Sequence, residues 1–388
     1  MKEYGEKLNE QWNDREVPTP LTALHEAATE DNVHIIGFLL DSLKTGEHSN
    51  TIKMIMLATD SLGQNAWYLA ALNGSVQALE RIWEWAEEVK HTFTCNLHLS
   101  QDRGSKTAWQ LAEEGGDIEV VEKKWDWVHE EQINHGGFKN KLLLSQDSVG
   151  RTVWHVAAQT GSVELIDKLW DWAKEELQSP DLLKNKLLLS RDKRGINAWY
   201  IAAKTGNVKI LGKLWDWAKE LQLEPEELRN DFLLSKDGFG QSVWETAAIK
   251  GHIDTLEKLW HCAKTEKLPP DCLKSVLFLA EQRGGNDTWG HALLNGRIDV
   301  IQKLWGWAKE LELTPDELKN ILFPAEDMFG HTAIRQAERT GSTELLETLW
   351  GLSKETQLNS KELSKLLVAA WHTAAAEGYL EVLERLWL

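Results

Sequence analysis

"KLWDWAKE" occupies residues 168–175 and recurs at 213–220, and "KLWGWAKE" follows at 303–310. Tryptophan is ordinarily scarce, yet this chain of 388 residues holds 21, ten of them in five pairs two residues apart. Aligning the chain on these pairs places Trp67, Trp109, Trp154, Trp199, Trp244, Trp289, Ile334 and Trp371 in one column, with spacings of 42, 45, 45, 45, 45, 45 and 37. A glycine follows seven residues later in every copy, from Gly74 to Gly378. A tryptophan follows sixteen later in every copy, from Trp83 to Trp387. The second member of the pair, eighteen later, is Trp85, Trp127, Trp172, Trp217, Cys262, Trp307 and Leu352. Only Trp12 falls outside these columns. A period of this length marks stacked repeats rather than independent domains, so tryptophan is an architectural residue here.

The copy "DSVGRTVWHVAAQTGSVELIDKLWDWAKE" can be read physically. Its Asp and Gly suit a tight turn, because Gly accepts the left-handed backbone. Thr152 suits a helix start and Gly161 its C-terminal cap, and Ala157 and Ala158 between them let a neighbouring helix approach closely. "VELIDKLWDWAKE" has the apolar spacing of a second helix. Trp170 and Trp172 lie about 200° apart around it, so they must face different neighbours. Burying each ring removes roughly 150 to 250 Å² from water, an upper estimate of about 4 to 6 kcal/mol before entropy is counted.

Between copies, "SPDLLKNKLLLS", "EPEELRNDFLLS", "PPDCLKSVLFLA" and "TPDELKNILFPA" each place proline ahead of an apolar-periodic run. Proline suits the first helical turn, and Thr314 with Glu317 fits a capping box. A third, linker helix is therefore expected in each repeat, positioned to cover the second tryptophan.

The register D-x-x-G-x-T-A-W-H-x-A-A-x-x-G resembles the ankyrin repeat, with Trp at the usual Leu position; "TALHEAA" at 22–28 is the closest copy, and "TVWHVAAQTG" and "NAWYIAAKTG" keep it. The period of 45 exceeds the family's usual length of about 33 by about the length of the linker helix. Gln282 replaces the turn Asp, Ile334 replaces the column Trp, and the turn motif is missing before Trp371. The resemblance implies an all-α solenoid with short β-hairpin fingers and an extra linker helix per repeat. Residues 1–18 form a polar lead-in, and 19–388 form a single array of about nine repeats. It further implies binding of a protein partner through the finger tips and the inner face of the first helices. Arrays of this kind occur in eukaryotic cytoplasm and in proteins that bacteria deliver into host cells.

With 42% hydrophobic and 27% charged residues the composition is that of a folded protein. The net charge of −18 argues against a uniformly positive surface for nucleic acid or membrane. Three cysteines without a C-x-x-C pair suit a reducing compartment, and the polar start lacks a signal-peptide core, so an intracellular, cytoplasmic protein is expected.

By the family analogy, the variable turn positions and the outer end of each first helix face the partner. These positions hold Arg103, Lys106, Arg151, Lys193, Arg194, Lys204, Lys250, Arg283 and Arg339 against one acid, Glu114, in a chain with more acids than bases. Val149, Ile196, Phe239, Met328 and Phe329 supply apolar anchors among them. A basic groove for an acidic protein surface or peptide is the expectation, and self-association through convex tryptophans is a further one. No cofactor is expected. Nor is an enzyme, because G-x-x-x-x-G-K-[ST], H-E-x-x-H and G-x-S-x-G are all missing from the sequence. His25 and His155 are expected to make hydrogen bonds within the turns, and His91, Cys95 and His98 form a weak metal-site candidate lacking a fourth ligand. Ligand or light sensing by the tryptophan array is the alternative class.

Overall fold

The computed structural model describes residues 20–44, 55–89, 97, 100–115, 118–130, 138–278, 287–322, 343–355, 368, 371 and 375. It divides into two compact units, Met1–Ala198 and Trp199–Leu388. The described residues are mostly helical, and among them no extended strand forms; isolated antiparallel bridges join Gln101 to Thr107 and Lys236 to Ser242.

Among the described residues the column tryptophan sits on a short first helix: Ala66–Leu72, Ala108–Gly115 and Val153–Thr160 in the first unit, and Val243–Lys250 and Thr288–Leu294 in the second. First helices of successive repeats pack on one another within each unit. Ala70, Ala71, Ala157, Ala158, Ala247 and Ala248 are all buried, so the absence of bulk at these positions is what permits the approach. The first helix of the 153–160 copy ends where Gly161 takes φ 78°, its N–H donating to Ala157 O at 3.2 Å. An L residue resists that left-handed backbone.

The second helices, among them Val76–Val89, Ile118–Glu130 and Val163–Leu177, carry the paired tryptophans, and within each unit successive ones also pack together. Several stop in a two-bond cap that tolerates a residue other than glycine. Lys267 adopts φ 53°, Lys267 N donates to Lys264 O at 3.1 Å, and Leu268 N donates to Ala263 O at 2.9 Å. Leu268 is buried just beyond, as are Leu223 and Leu313 in their copies.

Linker helices follow: Pro270–Phe278, Pro315–Leu322, and the short turns Pro180–Leu182 and Pro225–Glu227, which widen into π-helical Leu183–Leu188 and Leu228–Leu233. The Thr314 capping box forms, Thr314 N donating to Glu317 Oε2 at 2.7 Å and Glu317 N to Thr314 Oγ1 at 3.2 Å. The backbone bond to Thr314 holds the Glu317 carboxyl below its ordinary value.

The tryptophan pair does face two ways, but the stacking partner differs from the expected linker helix. Trp127 stacks back on Trp83 of the preceding repeat at 5.2 Å and also meets Trp67 at 5.6 Å. Trp125, two residues away, meets Trp109 of its own repeat and Trp172 of the next. The linker helices meet the first-helix tryptophans: Trp244 Nε1 donates to Leu233 O at 2.7 Å, and Trp289 Nε1 to Ile321 O at 2.9 Å. Those carbonyls lie at the ends of short helices, where backbone acceptors lack helical partners.

Ion pairs reinforce the same neighbour contacts. Lys219 pairs with Glu266 at 2.7 Å, Lys264 with Glu310 at 2.8 Å, and Lys309 with Glu355, each reaching the next repeat. Lys123 reaches back to Glu80 at 2.7 Å, and Lys303 to Glu257. Lys264 and Lys309 also lie over Trp260 and Trp305, four residues earlier. The Lys and Glu of "WAKE" thus tie consecutive second helices together, although pairs this exposed contribute little individually.

Candidate binding surface

Among the described residues, five turns share one design. An aspartate, Asp60, Asp102, Asp147, Asp192 or Asp237, donates its N–H to the carbonyl four residues on, at 2.9 to 3.0 Å. Its Oδ1 accepts from the backbone of that same residue: Asp147 Oδ1 takes Val149 N at 2.9 Å and Arg151 N at 2.8 Å. Asp192 does the same for Arg194 and Ile196, and Asp237 for Phe239 and Gln241. A carboxylate accepting two N–H groups is a strong, directional clamp, so the two residues after the Asp can vary freely in the sequence while the turn holds its shape.

In the Met1–Ala198 unit these turns are bonded edge to edge. Arg103 N donates to Leu62 O at 3.0 Å, Ser148 N to Gly104 O at 2.9 Å, and Lys193 N to Val149 O at 2.8 Å. Gly63 and Gly150, both at φ +83°, are required there. A Cβ would stand 3.0 Å from Arg103 N at Gly63 and 3.2 Å from Lys193 N at Gly150.

Four of these turns also hang from the residue after the preceding column tryptophan. Tyr68 Oη donates to Asp102 Oδ2 at 2.6 Å, and Gln110 Nε2 to Arg151 O at 3.0 Å. His155 Nε2 meets Ile196 O at 3.1 Å, and in the second unit Tyr200 Oη donates to Gln241 O at 3.3 Å. The tautomer of His155 follows from its other nitrogen: Thr152 N, which can only donate, lies 3.1 Å from Nδ1. Nε2 therefore carries the proton, and burial lowers the histidine's pKa, favouring the neutral ring. His25 Nε2 similarly meets Ala58 O at 3.2 Å. The histidines serve the turns, as expected, but they also reach the next repeat, which periodicity alone does not reveal.

The predicted face residues separate into distinct roles. Arg103 and Arg194 are exposed at the turn tips. Lys193 is also exposed, with Nζ donating to Ser148 O at 2.6 Å, and Val149 is partly exposed. Arg151 is structural as well as basic: Nε donates to the buried Asp147 Oδ2 at 2.8 Å, and Nη1 to Gln159 Oε1 at 3.2 Å. Ile196 corrects the expectation of an apolar anchor. It is only 7% exposed, so its side chain turns into the protein and is not offered at the turn's surface. In the second unit Phe239 is 92% exposed between Gly238 and Gly240, and Lys204 and Lys250 are exposed on their helix ends. Arg283, Met328, Phe329 and Arg339, and the His91, Cys95 and His98 triad, lie outside the described residues.

Lys106 and Arg151 come together with Val156, Gln159 and Thr160 around an open concavity of about 500 Å³ in the first unit. Gln159 and Thr160 lie at the helix-end positions that the repeat register assigns to the face, and both are exposed. Among the described residues no cluster of His, Cys, Asp or Glu is arranged for a metal ion, and no helix is long and apolar enough to cross a membrane. Comparisons with protein-family models and with curated protein sequences find no match.

Proposed function

We propose that this chain is a non-enzymatic scaffold or adaptor, an ankyrin-like solenoid of about nine repeats whose turns act as fingers against an acidic protein surface or peptide. The observation that carries the reading is the division of labour between the layers. Tryptophan stacks and Lys–Glu pairs occupy the second helices. The Asp-clamped turns hold their backbone with buried or bonded groups and leave Arg103, Arg194 and Phe239 exposed. A conformation fixed by its own Asp leaves side-chain identity available for recognition, and a preorganised cationic or aromatic contact loses little entropy on binding. Local positive charge on a body of net charge −18 favours an acidic protein over a polyanion such as nucleic acid, whose phosphates the flanks would repel. A cytoplasmic setting, in the producing cell or in a host cell, accords with Cys262 and Cys272 being free thiols.

The test compares proteins captured from lysate by wild type and by the double variant Arg103→Glu, Arg194→Glu, identified by mass spectrometry. Neither side chain supports the fold, so the melting temperature should stay unchanged while acidic partners are lost. Identical sets captured by both proteins would refute the reading.

A further inference from the structure

We propose that residues 4–12 of this chain dock as an amphipathic helix on the exposed stripe of Ile35, Phe38 and Leu39, covering the first described second helix as a preceding repeat would. This surface is separate from the turns, and the proposal does not rest on the partner reading above.

The repeat register identifies the stripe. In the copy whose column residue is Leu24, the second helix is Val33–Lys44, and Ile35, Phe38, Leu39 and Ser42 lie eleven, fourteen, fifteen and eighteen residues beyond the column. Those spacings put them on one side of the helix. In the next copies of the same unit that side faces backward. At the fourteenth position Arg81 reaches Asp41 at 3.1 Å, Lys123 reaches Glu80 at 2.7 Å, and Lys168 reaches Glu122, each acid standing on the preceding second helix. At the eighteenth, Trp127 and Trp172 stack on the preceding repeat. At the eleventh, Ala78, Val120 and Leu165 are fully buried, whereas Ile35 is 44% exposed. Phe38 is 73% exposed and Leu39 partly so. The outer face of a terminal repeat is ordinarily polar, so an apolar stripe there marks a seat.

Two substitutions in the stripe select what sits on it. A repeat stacked there by a second copy of the chain would bring an acid to the base column, because Glu80 and Glu122 stand thirteen residues beyond their column tryptophans and Glu384 does so in the last copy. Phe38 offers that acid no cation, and a carboxylate buried without one is unfavourable. Ser42 replaces the backward-stacking tryptophan. The seat therefore fits a segment that brings its own ring and no charge.

Residues 1–19 lie outside the described residues, and their sequence has that pattern. Trp12 is the tryptophan that belongs to no repeat column. On a helix Tyr4, Leu8 and Trp12 fall within about 80° of arc, with Gly5 beside them and Glu3, Glu6, Lys7 and Glu10 on the opposite side. The seven residues 13–19 span up to about 23 Å before Pro20 opens the first helix, against about 8 to 10 Å between packed helices. Such a tether holds the segment at an effective concentration of about millimolar, which favours it over a second copy.

Hydroxyl-radical footprinting of the full chain, read by mass spectrometry, tests this, with Phe239, 92% exposed, as the internal standard for an open phenylalanine. Phe38 should oxidise several-fold more slowly than Phe239. Trp12→Ala should bring Phe38 close to the Phe239 rate, and Trp12→Phe should keep most of the protection. Both variants should melt as one folded array, since Trp12 stands outside the repeats. Equal oxidation of Phe38 and Phe239 in the unsubstituted chain, or protection unchanged by Trp12→Ala, would overturn the proposal. Protection that appears only at concentrations where light scattering detects dimers would overturn it in favour of a second copy.

Discussion

Trp125 and Trp172, on second helices of consecutive repeats, stack with ring centroids 4.6 Å apart and planes 12° from parallel. Trp260 and Trp307 repeat the arrangement at 4.6 Å and 6°. Trp127, Trp172 and Trp307 are thus bolts driven backward into the preceding repeat. In arrays whose repeats touch only their neighbours, such interface contacts set the cooperativity of the whole. Trp172→Ala should lower stability by about 3 kcal/mol, the lower end for a large ring because Trp172 is partly exposed. Urea titration measures it, and loss of a stacked-indole couplet in far-ultraviolet circular dichroism should accompany it.

Where the second column holds Cys262 instead of Trp, another ring serves. Phe232, on the π-helical linker segment, lies 5.1 Å from Trp199 and 6.1 Å from Trp215, a bracket matching that of Trp172 between Trp109 and Trp125. Other linkers have leucine at this position, among them Leu142, Leu187, Leu277 and Leu322. Burial pushes the Cys262 thiol up to about 11, consistent with a packing residue rather than a nucleophile. Cys262→Trp alone should cost about 1 to 3 kcal/mol by overpacking. Adding Phe232→Leu should recover most of it, giving a coupling of about 1 to 3 kcal/mol in a double-mutant cycle; simple additivity would show that the two sites are independent.

Lys124 stands in a column otherwise filled by Ile82, Leu169, Leu214, Leu259 and Leu304, and it is only 1% exposed, with its ammonium 5.4 Å from the Trp67 ring centroid. Even well-accommodated buried charges are commonly matched or bettered by an apolar side chain. Lys124→Leu should raise the urea midpoint, by about 1 kcal/mol in stability.

His155 gives the fold an acid sensitivity of defined sign. Its folded pKa lies below the ordinary 6.5 because burial disfavours the charged ring. The stability it supplies is full above pH 6.5 and is lost as the pH falls through the lowered folded value. His155→Gln should reduce that acid-side loss while keeping the architecture. Gln110 already makes both bonds at the equivalent position, accepting from Thr107 N at 2.9 Å and donating to Arg151 O at 3.0 Å. Urea midpoints of both proteins between pH 7 and 5 provide the check.

Much of the helical architecture was legible because the residues concerned answer to local rules. The glycine column requires a left-handed cap, the prolines start linker helices, and two tryptophans two residues apart must face different ways. What they face was not legible, because stacking of Trp172 on Trp125 joins positions 47 residues apart, and the short-range pattern pointed to the nearer linker. The candidate surface shows the same limit. Charge counting singled out Lys106 and Arg151, which do share a cleft, but it could not tell that Asp147 clasps Arg151 or that Ile196 turns inward. The one available clue to the clasp was that Asp stands seven residues before the repeat column in six copies, from Asp60 to Asp327, which marks it as a backbone acceptor rather than a free charge.

Amide hydrogen exchange of the full chain, with and without an excess of a short peptide alternating Glu and Leu, tests the division between binding turns and bolting helices most directly. Slowed exchange should fall on the turns at 102–106, 147–151 and 192–196 and on the end of Val153–Thr160, with the tryptophan-bearing helices Val76–Val89 and Val163–Leu177 unchanged. Protection confined to those second helices would contradict the account and move the binding surface to the opposite layer.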